Sequence, residues 1–220
     1  MTKWVLQLIF ITSEKISIVA DKNIIFDFGN NVLSNKGEAP VISNYGTIKI
    51  SNGTITTSAS VNGAVNNEST GKLDITGGHF IVTNGRQALY NNQGTVTVSG
   101  NPYFSSVSTT RATVQNVKNG KMTITGGTII STGYYALNNA GTLTIGVKDG
   151  NINTSSPVLM GEVTGLKSTG TFNFYDGIFK GKTTAFNATI TDKEDNSEVL
   201  NGTEVISGVT YKTATLKFNE

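Results

Sequence analysis

Cysteine is absent from this chain, histidine occurs once and proline three times among 220 residues. Without cysteine there is no disulfide framework, no thiolate metal site and no thiol nucleophile. A lone His79 is poor material for a histidine-based metal centre or catalytic triad. Charge is also scarce, at 15% of residues against about 25% in an ordinary soluble domain. The 17 basic and 15 acidic side chains nearly cancel, leaving a net charge of +2, too small for a nucleic-acid or membrane-surface footprint. No run approaches the ~18 consecutive apolar residues of a membrane span. Helical spacing is missing as well: no segment sustains apolar residues at i, i+3, i+4 and i+7, and glycine interrupts every window.

In place of these stand 25 glycines and many Asn and Thr residues, arranged as a repeat. A glycine, a polar residue, then apolar-polar-apolar recurs at Gly46 to Ile50, Gly71 to Ile75, Gly94 to Val98, Gly120 to Ile124, Gly141 to Ile145 and Gly170 to Phe174. An earlier copy without the glycine is Phe26-Asp27-Phe28. The first apolar residues follow one another at steps of 22, 25, 23, 26, 21 and 29 residues. Each period carries two further apolar segments. One follows a turn such as Thr76-Gly77-Gly78, for example His79 to Val82 or Thr128 to Ile130. The other is a small-plus-apolar pair running into Asn, for example Ala64-Val65-Asn66, Ala88 to Asn91, Ala112 to Asn116 and Ala136-Leu137-Asn138.

Three short strands and three turns per period describe one triangular coil. In Leu143-Thr144-Ile145 the strand alternation points the two apolar residues inward and the threonine outward. A single coil of this length cannot repay its conformational entropy with so few buried side chains. Stacked coils share hydrogen-bond ladders and bury both sides of each apolar layer. The expected fold is therefore all-β: a parallel β-helix solenoid of about seven coils of three short strands, with terminal caps. A β-propeller blade would need about 40–45 residues; antiparallel meanders of this period are the main structural alternative. Glycine at the corners is expected to supply positive φ. Asn44, Asn67, Asn92, Asn116 and Asn139, near one corner, are expected to form an internal amide ladder.

The runs Asn139 to Ile145, Gly120 to Ile129 and Phe174 to Gly181 resemble the repeats of right-handed parallel β-helix, pectin-lyase-like proteins of bacterial cell surfaces. Asn23 to Asn31 resembles the first coil of such proteins. The resemblance covers about Ile16 to Asn187. It implies right-handed winding of the coils and a secreted or surface-exposed protein, often one module of a longer chain, and leaves activity open because the scaffold hosts both enzymes and adhesins.

The chain divides into an N-terminal strand or cap at 1–22, the β-helix at 23–187, and a linker with a strand-turn-strand cap at 188–220. Lys3-Trp4 followed by Val5 to Ile11 has the order of a short signal peptide, but Glu14 and Lys15 follow at once, which favours a first strand or cap. At the other end, Thr191 to Asn201 reads as a polar linker and Glu204 to Phe218 as strand, turn and strand.

Equivalent positions stack about 4.8 Å apart, so chemistry can be sought along rows. The outward row of the first strand reads Asp27, Lys49, Asp74, Thr97, Thr123, Thr144, Asn173. Calcium wants six to eight oxygens, several of them carboxylate, and Lys49 between two acids points instead to a cross-strand charge ladder. No facing carboxylate pair of the glycosidase type emerges. Asp149 and Asp176 precede glycine as ordinary turn residues do, and His79 begins a strand with no evident catalytic partner. No catalytic residue, metal or organic cofactor is expected.

One corner is distinctive. Before the small residue of the third strand stand Asn62-Gly63, Arg86-Gln87, Thr110-Arg111 and Tyr134-Tyr135, so that both arginines and a tyrosine pair share an edge. Planar guanidinium and aromatic faces stack on sugars and bind acidic groups. Arg86, Gln87, Arg111, Tyr134 and Tyr135 are the candidate ligand-binding residues. The expected function is a non-enzymatic extracellular or cell-surface structural or adhesive module that meets polysaccharide or a surface protein, as a monomer or part of a longer chain, with no nucleic-acid partner and no membrane span. The alternative is a carbohydrate-active enzyme of the pectate-lyase type. A trimeric fibre segment would need an apolar outer face.

Overall fold

Alternation fixes the strands and glycine fixes the corners. In the computed structural model, residues 2–5, 10–12, 14–37, 39–58 and 63–219 are described, with side chains from residue 14 onward. They form a parallel β-solenoid of about seven turns, consistent with right-handed winding, with no helix among them. Each coil gives one strand to each of three sheets, which hold nine, ten and eight strands among the described residues. One coil consists of Lys72–Ile75, His79–Val82 and Leu89–Asn91; the next consists of Thr95–Val98, Tyr103–Ser106 and Val114–Asn116. Between them the register is Leu73↔Val96, Phe80↔Phe104 and Leu89↔Val114, all parallel.

Inward rows fill one continuous core. Ile48, Leu73, Val96, Met122, Leu143 and Phe172 stack in the first sheet, all buried. Phe80 and Phe104 stack in the second, with ring centroids 4.7 Å apart. The C-terminal end of the core is closed by a knot of Phe172, Phe174, Phe179 and Phe186 in mostly edge-on contact, the geometry that aromatic quadrupoles favour.

At the N-terminal end, Thr2–Val5 pairs parallel with Ile24 to Asp27, and Phe10–Thr12 with Leu33 to Asn35. Within the stretch from Trp4 to Ile11, residues 6–9 lie outside the described residues. At the other end, Asp192–Lys193 adds to the first sheet beside Asn173 and Phe174. Strands Ser197–Ile206 and Val209–Phe218 form a hairpin that joins the second sheet antiparallel, with Ala214 opposite Phe179. The polar stretch 191–201 is therefore not a loop throughout. Its Ser197 and Val199 alternate inward opposite Phe218 and Leu216. Ser207 and Gly208 turn the hairpin with φ of 51° and 79°, the two-residue geometry that matches strand twist.

Three registers differ from those expected. Ile24, not Phe26, lies opposite Ile48, which places Ile25 beside Lys49 and Asp27 beside Ser51. Asp27 thus leaves the charge row. Its Oδ1 instead accepts from Asn52 Nδ2 at 3.1 Å and from the Gly29 N–H. The amide ladder runs through Asn91 rather than Asn92, whose Nδ2 reaches out to Glu68. In the third sheet, Val114 lies opposite Leu89, so Thr113, not Ala112, occupies the level of Ala88.

Glycine has two corner roles rather than one. Where the first strand turns into the second, Gly78 has φ of +90°, a conformation costly for any residue with a Cβ. Where the third strand turns into the first, Gly120 has no such φ. A Cβ there would lie 2.3 Å from Asn116 Oδ1 and 2.9 Å from Asn91 Nδ2. Glycine is needed at that corner to admit the amide ladder.

Candidate functional site

The Arg–Tyr corner lies where the second sheet passes into the third. Serine hydroxyls shape it: the Arg111 N–H donates to Ser108 Oγ at 3.0 Å, and the Tyr134 N–H donates to Ser131 Oγ at 3.0 Å. Each serine sits three residues ahead of its partner and holds a tight turn. Arg86, Arg111 and Tyr134 each stand three residues before Leu89, Val114 and Leu137, which are successive partners in the third sheet. The Ala88 and Leu89 N–H groups both donate to the Thr113 carbonyl, so the ladder is irregular just ahead of these strands, and the candidates share a corner of successive coils rather than a residue-by-residue level. Asn62 lies outside the described residues.

Exposure sorts the five candidates. Arg111 is exposed and in no ion pair among the described residues, while Arg86, Tyr134 and Tyr135 are partly exposed. Gln87 is only 7% exposed, and its carbonyl accepts from the Ala64 N–H, so it serves the coil stack more than a ligand. The rings of Tyr134 and Tyr135 stack with centroids 3.8 Å apart and planes 26° off parallel. Tyr135 holds its proton above the ordinary phenol range, first through its hydrogen bond to Tyr134, then through partial burial and the neighbouring phenol's charge. Arg86 and Arg111 on adjacent coils and the stacked phenol pair on the next coil stand at the same corner of the solenoid. This corner ridge offers planar faces and bidentate donors to an acidic or hydroxylated partner.

Other candidate chemistry is sparse. Lys49 Nζ lies 3.5 Å from Asp74 Oδ2 with both side chains about half exposed, a surface pair of small energetic value. Asp27 is off that row, so no acids gather on neighbouring coils there. His79 is exposed at the start of its strand, with its ring edge-on to Tyr103 at 5.7 Å. It borders an open groove of about 300 Å³ with Asn30 and Asn52, which holds no paired acid and base. No helix among the described residues is long and apolar enough to cross a membrane.

A second cluster escaped the sequence reading. The 146–157 loop, in the coil of longest step, packs against Tyr175, Asp176 and the segment 192–195. Tyr175 Oη donates to Asp192 Oδ2 at 2.7 Å, and Lys148 Nζ lies 3.4 Å from Asp192 and 3.3 Å from Asp195. These contacts hold the Asp192 carboxyl below its ordinary range, the tyrosine hydrogen bond foremost. Burial raises the Asp176 carboxyl, with help from the charges of Asp149 and Glu194. Because none of these acids occupies a repeated position, row-by-row reading passes over them.

Comparison of the chain with protein-family models, with curated proteins and with solved structures gave no match.

Proposed function

We propose that the chain is a non-enzymatic structural or adhesive module of an extracellular or cell-surface protein, binding polysaccharide or a partner surface through Arg86, Arg111, Tyr134 and Tyr135. The observation that supports this reading is that Arg86, Arg111 and the stacked tyrosine pair stand ahead of third-sheet strands that pair on three successive coils. Arg111, exposed and in no ion pair among the described residues, offers its guanidinium to an anionic partner on a rigid scaffold that needs no further ordering. Repetition at coil spacing suits a linear polymer, each of whose units contacts one coil weakly. Similarity of the repeats to those of bacterial pectin-lyase-like surface proteins supports an exported location. The outward row of the first sheet, with Thr97, Thr123 and Thr144 following Asp74, suits a spacer face better than a lyase cleft, which needs neighbouring acids.

Binding to a panel of acidic and neutral polysaccharides tests the reading. An acidic glycan is retained by the wild type and released by salt, and the triple variant Arg86→Ala, Arg111→Ala, Tyr135→Ala loses it. Equal retention by wild type and variant removes the ridge from the reading. Formation of unsaturated uronate products on incubation with polygalacturonate would replace the module by the enzyme.

A further inference from the structure

Glu194 is 3% exposed. Its Oε1 accepts from the Gly150 N–H at 3.1 Å, so the carboxylate is thrust beneath the loop backbone at 149–151. Its Oε2 is buried with no hydrogen-bond partner. A buried carboxylate oxygen facing nothing is costly, since such groups are otherwise paired or coordinate a metal.

The surroundings add negative charge. Asp176 arrives from the next coil, where it accepts from the Asn153 N–H, and the Gly177 N–H donates to the Asn153 carbonyl at 2.7 Å. Asp149 Oδ1 accepts from the Asn151 N–H at 2.9 Å. None of Asp149, Asp176 and Glu194 belongs to an ion pair among the described residues. The cations nearby are engaged elsewhere: Lys148 with Asp192 and Asp195, and Lys193 with the Ser197 carbonyl. Asp176 feels the charges of both Asp149 and Glu194, which with burial raise its proton affinity. The three acids therefore share one neighbourhood although they come from three separate segments.

The loop is rich in neutral oxygen as well. Asn151 and Asn153 place amide oxygens at alternate positions, the i, i+2 spacing at which calcium loops present successive ligands. The glycine of such loops at the sixth position and the acid at the twelfth are absent here, and Glu194 reaches in from elsewhere in the chain.

We propose that the 149–153 loop, Asp176 and Glu194 form a calcium site in which the free Oε2 of Glu194 is the anchoring ligand. Among the described residues no three acidic groups converge on one point. Glu194 and Asp176 accordingly supply the ligand charge, neutral oxygens of the loop complete the shell, and Asp149 adds attraction from outside it. Calcium tolerates six to eight oxygens in irregular geometry, whereas magnesium demands a strict octahedron and keeps its waters. The site thereby selects calcium. Bound there, the ion ties the longest loop to the segment that leads into the C-terminal hairpin.

Thermal unfolding and calorimetric titration of chelator-treated full chain test this, with calcium and magnesium chloride compared at equal concentration. In the wild type, calcium raises the midpoint progressively with a Kd below about 1 mM, and magnesium does not. Glu194→Gln abolishes the calcium response and raises the midpoint of the metal-free protein, because it removes a buried charge. Asp149→Asn weakens affinity several-fold and retains the response. Terbium offers a readout that does not depend on any Glu194 variant folding: sensitised by Tyr175, its emission is displaced by calcium and lost in Tyr175→Phe. No calcium-dependent shift in the wild type, an equal shift with magnesium, or a response unchanged in Glu194→Gln (an adventitious ion only) each overturns the proposal.

Discussion

Asn91 Nδ2 donates to Asn116 Oδ1 at 2.8 Å, and neither side chain has any solvent exposure. The same link joins Asn44 to Asn67, Asn67 to Asn91 and Asn116 to Asn139, and Asn139 ends the row on Ser168 Oγ. Each amide also donates to backbone carbonyls of the neighbouring first strand, as Asn116 does to Thr142 at 3.1 Å. The ladder thus ties the third strand of one coil to the first strands of its neighbours, and its energetic weight lies in what breaking it exposes.

Asn116→Ala leaves the Asn91 amide and the Asn139 carbonyl oxygen each short of a partner, and frees carbonyls in a site that water cannot reach. At about 1–3 kcal/mol for each buried polar group left unsatisfied, the expected loss is about 2–4 kcal/mol by urea unfolding. Asn116→Ser should cost less, because Ser168 already ends the row with a hydroxyl. A loss under about 0.5 kcal/mol for the alanine variant would mean that the ladder follows the fold without supporting it.

Glycine at position 120 is demanded by the ladder, whereas glycine at position 77 is not. A Cβ on Gly77 meets nothing nearer than 3.5 Å, at Asn52 N, and a Cβ on Gly120 collides with two amide side chains. Gly77→Ala should therefore be neutral or gain up to about 1 kcal/mol through reduced chain entropy. Gly120→Ala should lose about 1–3 kcal/mol through forced displacement of a packed side chain. Equal effects in the two variants would show that corner crowding does not set the glycine pattern.

The triangular coil is legible because strand alternation and glycine punctuation agree in every period from Gly46 onward. What escaped has a common physical cause. Ile24, Phe26 and Phe28 all point inward, with the Phe26 and Phe28 rings stacked at 5.5 Å, and a period of two cannot choose among three equivalent apolar residues. The register slid by two, and Asp27 was placed in a row to which it does not belong. In Asn91-Asn92 identical neighbours differ only in face, and Leu89 pointing inward puts Asn91 inward too. Ala112 and Thr113 present two small residues, either of which fits the tight level of Ala88. Glu194 lies in a polar stretch where nothing local marks it for burial; only the fold of the 146–157 loop over it does so.

Tyr135 provides a pH-dependent signature of the ridge. Its proton is held by the hydrogen bond to Tyr134 and by partial burial, so its folded pKa lies above the ordinary value of 10.0. A group raised in the folded state contributes stability that is complete below its unfolded pKa and is lost as pH rises through the folded one. Tyr135's contribution is therefore intact below about pH 10 and declines only in stronger alkali. Absorbance titration of phenolate should show Tyr135 and Tyr175 ionising late in the folded protein, and Tyr134→Phe should bring only the Tyr135 ionisation earlier. An unchanged titration in Tyr134→Phe would separate the two hydroxyls and leave the stacked pair held by its rings alone.

Leu216, fully buried opposite Val199, and Ala214, fully buried opposite Phe179, fasten the C-terminal hairpin over the phenylalanine knot. A solenoid strand without a neighbour presents a row of unpaired backbone groups that can recruit another chain. Here the strand Ile178–Gly181 is covered by a partner running the opposite way, which ends the parallel stacking. Leu216→Asp places an unpaired charge against that core and should cost at least about 3 kcal/mol. Its more telling effect is on association: with the hairpin detached, the exposed edge should raise the apparent mass in light scattering at concentrations where the wild type is unchanged. Val205→Lys, on the 67% exposed outer part of the same hairpin, should alter stability by no more than about 0.5 kcal/mol and leave association untouched. If Leu216→Asp unfolds no more readily and associates no more than Val205→Lys, the hairpin is an appendage, and the phenylalanine knot alone closes the coil stack.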